Sequence, residues 1–358
     1  MNIGILTQPL GRNYGGILQN YALQQVIKSL GHNPVTIDSG QTLFAFILSY
    51  SKAILMRCLG RKSTFPERVY EDRFITSNFI RKYIHKTEPF TFATPVLLYK
   101  YNLQCVISGS DQVWRPTYNT GRGLARMYQN FIWGKKCKRI AYAASFGVDT
   151  WEYTIEQTKK CSKLAKQFDA ISVREKSGIK LCKEHLGVDA IEVLDPTLML
   201  SAEHYTSLCK NVPQRTEKFI AAYVLDLDSE KKEKITLFAE KCGLPLRLFS
   251  AHKNANFTVE EWLSIFRDAE YVITDSFHGT VFSIINHKPF ISIANEDRGA
   301  SRFHSLLGKF DLEERLISDY SEIKQMPDVN WAVVDTKKAE WQKISKEFLE
   351  KALCQKLV

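Results

Sequence analysis

The eight cysteines stand singly at 58, 105, 137, 161, 182, 209, 242 and 354, with no CxxC pair and no histidine at zinc-site spacing. That scarcity of pairs predicts a reduced, cytoplasmic protein rather than a disulfide scaffold or a zinc domain. Neither GxGxxG nor a Walker loop occurs, so a dinucleotide or triphosphate cradle has no support. No apolar run reaches the roughly 20 residues of a spanning helix. The longest, Leu43 to Met56, is broken by Ser49, Ser51 and Lys52. No basic segment precedes the apolar start Met1 to Leu6, which reads as a buried first strand rather than a signal peptide. Helix-turn-helix, RNP and zinc-finger signatures are missing, and the aromatics do not alternate with Arg and Lys, which weighs against nucleic acid.

With 358 residues and 44% hydrophobic content, the chain has material for two cores. A formal charge of +10 favours an anionic partner: nucleic acid, a membrane face or a phosphorylated substrate. Short β-rich runs alternate with helical patterns, beginning with a strand at Asn2 to Thr7, a helix at Ile17 to Leu30 and a strand at Pro34 to Asp38. Further strands are predicted near residues 105–110, 139–145, 170–174, 191–194, 219–225, 246–250, 271–274 and 290–294. The pattern predicts an α/β protein of two doubly wound, Rossmann-like domains facing a cleft. Their expected extents are 1–200, with an insertion at about 41–95, and 201–335, joined by a linker within 196–218. A tail helix from residue 336 places Trp341, Ile344, Phe348, Ala352 and Leu353 at helical spacing and should dock on one domain. This architecture resembles the two-domain glycosyltransferase fold known as GT-B, a likeness that gives no function by itself.

Ligands in such sheets bind at the carboxyl ends of the strands, and the motifs cluster there. Gly11 to Gly16 link the first strand to a helix, and Asn13, Gly15 and Gly16 are placed to bring backbone close to a ligand. Asp111 follows the strand ending Gly109-Ser110, where it either handles a hydroxyl proton or caps a turn. Ser145 ends the next strand among small residues. Arg174 presents a guanidinium for a carboxylate or phosphate, or else pairs with Glu175 or Asp195. Asp195-Pro196 reads as a structural turn. The sharpest pattern is Thr274-Asp275-Ser276-Phe277-His278-Gly279, a strand end running into a helix whose start puts His278 at the cleft, with Gly279 leaving room above it. Glu296, Arg298 and Arg302 follow the next strand and either complete an anion site or form a solvated helix start.

Taken in order, Asn13-Tyr14-Gly15-Gly16, Gly109-Ser110-Asp111, Ser145-Phe146-Gly147, Ser172-Val173-Arg174-Glu175, Leu194-Asp195-Pro196 and Ser276-Phe277-His278-Gly279 resemble the polysaccharide pyruvyl transferase family. The resemblance implies a phosphoenolpyruvate-dependent enzyme acting on a cell-surface glycan or its lipid-linked precursor. It implies that Asp111, Ser145, Arg174 and His278 line the donor and acceptor site. Some members carry Arg-Leu-His where this chain has Ser276-Phe277-His278, so either Arg302, Arg298 or Lys288 replaces that cation or the donor is bound differently.

The reaction expected from this resemblance has protonated His278 as acid, Asp111 handling the acceptor hydroxyl and Arg174 holding the donor, with no metal or organic cofactor. Two rivals stay open: a GT-B glycosyltransferase using a nucleotide sugar, and a non-catalytic scaffold of a glycan-assembly complex. The insertion adds nine Lys and Arg between 52 and 86 against Glu67, Glu71 and Asp72, beside the apolar run. That pattern fits either a helical hairpin packed on the first domain or a helix lying on an anionic membrane face.

Overall fold

The computed structural model describes residues 1–38, 43–60, 75–90, 95–121, 123–133, 137–250, 257–294 and 299–354. Glu296 and Arg298, and Arg61 to Arg73 of the insertion, lie outside the described residues.

Six parallel strands form the first sheet: β1 (Asn2–Leu6), β2 (Asn33–Thr36), β3 (Cys105–Gly109), β4 (Lys138–Ala144), β5 (Ala170–Val173) and β6 (Ile191–Glu192). Their order across the sheet is β2-β1-β3-β4-β5-β6. The second sheet holds β7 (Ile220–Tyr223), β8 (Leu246–Phe249), β9 (Tyr271–Thr274), β10 (Phe290–Ile293) and β11 (Leu316–Ile317), in the order β11-β10-β9-β7-β8. All pairings are parallel. Helices cover both faces, so the central strands read as almost continuous apolar runs and are buried along their whole length.

The first helix, Tyr14–Ser29, is opened by Asn13, whose side chain accepts a hydrogen bond from the Gly16 N–H at 3.2 Å. Its buried residues Tyr14, Ile17, Leu18 and Tyr21 pack in one cluster with Trp262, Phe266 and Phe282 of the second half. Tyr14 stacks on Trp262 with centroids 5.6 Å apart, and its hydroxyl donates to the Phe257 carbonyl at 2.6 Å. The two halves therefore share a core rather than meeting only across a cleft.

The segment expected as a linker runs between the last strand of the first sheet and the first of the second, and it carries a 3-10 turn at Pro196–Met199 and a helix at Ala202–Leu208. The C-terminal helix, Trp331–Cys354, begins earlier than expected and bridges the halves. His287 stacks on Trp331 at 4.9 Å near its start, while Lys138 Nζ donates to the Ala352 and Leu353 carbonyls at its end. Its inward face carries Val334, Ser345, Leu349, Ala352 and Leu353. Ile344, expected on that face, is exposed.

Candidate functional site

A cavity of about 600 Å³ lies between the two halves, at the carboxyl ends of both sheets. Chain leaving β1 supplies Gln8, Arg12 and Asn13; chain after β3 supplies Asp111, Gln112 and Tyr118. From the second half come Tyr223, Leu225, Asp275, Ser276, Phe277, His278 and Arg302. The wall thus mixes cations, two carboxylates and aromatic rings.

The helix Phe277–Ile285 positions the key group of residues. Ser276 caps it, accepting from the Gly279 N–H at 3.3 Å, and this fixes the turn that carries Phe277 and His278 into the cavity. His278 reaches across to the first helix, where a Cβ on Gly15 would run into the imidazole ring. Gly15 is therefore glycine to admit a histidine from the other half. On its other side, His278 Nε2 lies 3.6 Å from Asp195 Oδ2.

Asp195 is the hub beneath the cavity. Its Oδ2 accepts from Ser110 Oγ and from an Arg174 guanidinium nitrogen, each at 2.9 Å; its Oδ1 accepts from the Thr197 N–H and hydroxyl. Burial opposes the charged form, but His278, Arg174 and Thr197 outweigh it and hold the carboxyl far below its usual range. The Arg174 guanidinium also lies 3.9 Å from Asp111 Oδ1 and sits over the Phe277 ring at 4.4 Å. Arg302 approaches the same ring at 5.5 Å. Burial and the neighbouring Arg174 charge push the Arg302 guanidinium down to about 10, with Asp111 and Glu175 offsetting part of the effect. It remains a cation at neutral pH.

Of the residues singled out in the sequence, His278, Asp111, Asn13, Ser276, Phe277 and Arg302 line the cavity. Asp111 does so with φ +77°, a left-handed conformation that non-glycine residues seldom adopt. Its side chain accepts from the Gln112 N–H at 2.9 Å, so it also serves the turn it sits in. Arg174 lies behind Phe277 with its side chain 2% exposed, and the structural pair with Asp195 is the arrangement found. Ser145 is wholly buried away from the cavity, where its hydroxyl accepts from the Gly147 N–H and its own N–H donates to the Asp111 carbonyl. It shapes the Asp111 loop. Gly279 leaves no room for a ligand; a Cβ there would collide with Thr274. Gly16 faces Asn13 rather than the cavity.

Lys288 lies beside Asp268 and Glu270, away from the cavity wall; of the candidate cations Arg302, Arg298 and Lys288, the described one that lines the cavity is Arg302. Asp195, read as a turn residue, does cap the Pro196–Met199 turn, yet it also joins Arg174 to His278. Arg12, Asp275, Tyr118 and Tyr223 escaped the sequence reading as site residues. Arg12 and Asp275 stand inside quoted motifs, so position at a strand end was a usable signal for both.

Two parallel-sheet halves enclosing a polar cavity at their strand ends, with a C-terminal helix returning to the first half, define a two-lobed α/β protein of GT-B-like architecture. A sequence model of polysaccharide pyruvyl transferases matches residues 13–297, and the chain belongs to that family. No curated protein matches the chain. Among solved structures, S. aureus MnaA with UDP is similar at 10% identity and TM-score 0.48, over 98% of this chain and 91% of that one. A UDP-GlcNAc 2-epimerase from Methanocaldococcus jannaschii, in complex with UDP-GlcNAc and UDP, is similar at 12% identity and TM-score 0.43, over 94% of this chain and 98% of that one.

Proposed function

We propose that the protein transfers the enolpyruvyl group of phosphoenolpyruvate to two hydroxyls of a cell-surface glycan precursor, forming a pyruvate ketal and releasing phosphate. The observation that carries this reading is the cavity wall that sets His278 and the buried cation Arg302 beside the carboxylate of Asp111. A buried guanidinium destabilised by its surroundings favours an anionic ligand, and phosphoenolpyruvate offers a carboxylate and a phosphate. Arg12 adds a second cation to the wall.

In the proposed reaction, protonated His278 delivers its proton to the methylene carbon, leaving an oxocarbenium centre at the carbon that bears the phosphate. A glycan hydroxyl adds there and gives up its proton, which Asp111 accepts and which finally restores His278. The carbon–oxygen bond to phosphate then breaks, a second hydroxyl closes the ketal, and its proton leaves with the phosphate. Asp195 keeps the imidazole oriented, while Arg174 braces Asp195 and Phe277 from behind. Phosphoenolpyruvate is a co-substrate here, and the scheme draws on no metal or organic cofactor.

The test is His278→Gln. Phosphoenolpyruvate affinity, measured by calorimetry, is expected to stay within a few-fold of wild type, while phosphate release with a lipid-linked glycan acceptor falls about 10²–10⁴-fold. Turnover near the wild-type rate would remove His278 as the acid. Failure of the wild type to bind phosphoenolpyruvate would remove the donor.

A further inference from the structure

Among its described side chains, the helix Leu43–Cys58 exposes several large apolar ones to solvent. Of the described side chains Ala53 is buried, whereas Ile47 is 53% exposed, Ile54 46% and Leu55 59%. At 3.6 residues per turn, Ile47, Ile54 and Cys58 fall on one outward stripe, with Leu55 and Tyr50 to its sides. Both exposed, Arg57 falls about 80° to one side of that stripe and Lys52 about 140° to the other. Leu59, 63% exposed, prolongs the apolar surface just past the helix end.

Charge separates the possible occupants. Between Asp38 and Glu67 the sequence contains no carboxylate, while Lys52, Arg57, Arg61 and Lys62 all fall within that stretch. A second copy docked through the same stripe would bring its own Lys52 and Arg57 to this face and supply no carboxylate from the helix. An anionic bilayer accepts both features at once, taking the apolar stripe about 5–10 Å into the headgroup and acyl boundary while Lys and Arg reach the lipid phosphates.

We propose that this helix docks the protein, lying flat, on the surface of an anionic lipid bilayer. Its place in the fold gives the contact a use. All strands of the first sheet run parallel, so β2 ends at the same end of the sheet as β1, which leads directly to Arg12 and Asn13 of the cavity. Five residue steps separate Asp38, just past β2, from the start of the helix, a reach of at most ~18 Å. Docking through this helix therefore holds the cavity end of the first sheet near the bilayer, where a lipid-linked acceptor would be presented.

The experiment is co-sedimentation of the full chain with phosphatidylcholine vesicles, with and without phosphatidylglycerol. Binding is expected with the anionic vesicles, weakening as salt rises. Removing both cations in Lys52→Ala/Arg57→Ala should weaken it by about 25-fold, about fivefold for each cation. Ile54→Asp should weaken it at least ~10-fold while leaving the melting temperature and phosphoenolpyruvate affinity unchanged. No sedimentation with anionic vesicles at low salt, equal binding to neutral vesicles, or variants that bind like wild type would each overturn the proposal. So would a dimer in velocity sedimentation that Ile54→Asp dissociates, since the stripe would then belong to a second copy. None of these readouts depends on turnover, so loss of the transfer reaction and loss of membrane docking are seen separately.

Discussion

At Asp195 a single buried carboxylate accepts four hydrogen bonds and stands 3.6 Å from an imidazole nitrogen. Because its pKa is depressed in the folded protein, its contribution to stability is complete above the unfolded carboxyl value near ~4 and is lost as pH falls towards the folded value. Asp195→Asn should therefore flatten the acid limb of stability below about pH 4. At neutral pH it should cost roughly 3–5 kcal/mol, because Arg174 loses its principal counter-charge. Urea unfolding at pH 7, 4 and 3 measures both effects, and parallel acid limbs in wild type and variant would show that Asp195 is not the group being titrated. At this scale much of the site was legible. His278 and Asp111 were identifiable because each follows a strand end closely, and Arg302 because it opens the helix after the next strand. The roles of Asp195 and Gly15 were not, since they depend on contacts 83 and 263 positions away along the chain from His278, and spacing carries no information about such contacts.

Among the elements, those with strong local chemistry matched expectation. Thr258-Val259-Glu260-Glu261 forms a reciprocal capping box, with Thr258 Oγ1 accepting from the Glu261 N–H at 3.1 Å and Glu261 accepting from the Thr258 N–H at 2.7 Å. The helix it starts, Val259–Asp268, buries Trp262, Ile265 and Phe266 against the second sheet. Thr258→Ala should lower stability by about 0.5–2 kcal/mol, and Thr258→Ser should recover most of it. Thr236→Ala, at a half-buried position in the middle of the helix Ser229–Cys242 where the hydroxyl donates only to the Lys232 carbonyl one turn back, should change stability by no more than ~0.5 kcal/mol in the same denaturation series. Equal effects at both positions would mean the box adds nothing beyond helix propensity. Strands were legible for a similar reason, because parallel strands covered on both faces need unbroken apolar runs. The two-residue β11 was not, being too short to show a period, and its pairing with β10 comes from the sheet and not from its own sequence.

For the whole molecule, the question is whether the halves move as separate bodies, the usual expectation for two α/β domains unless their interface is large and apolar. Here the first helix contributes Tyr14, Ile17, Leu18 and Tyr21 to the second half's core. The C-terminal helix packs Val334 into that same cluster and carries Leu349, Ala352 and Leu353 into the core beside Ile3 and Ile107 of the first sheet. Between these contacts the Leu194 N–H donates to Ser345 Oγ at 2.9 Å, and Gln342 donates to the Leu198 carbonyl at 2.6 Å. One helix thus ties together both sheets and the segment that connects them. Leu349→Ala removes a fully buried side chain from the first half alone and should cost about 2–5 kcal/mol. With the halves coupled in this way, the second half should lose stability by the same amount. Hydrogen exchange followed by mass spectrometry through a urea series reads this directly: peptides from β3 and β9 should lose protection together in wild type, and together at lower urea in Leu349→Ala. If β9 stays protected where β3 has opened, the shared core does not couple the halves, and the cavity lies between two bodies free to separate.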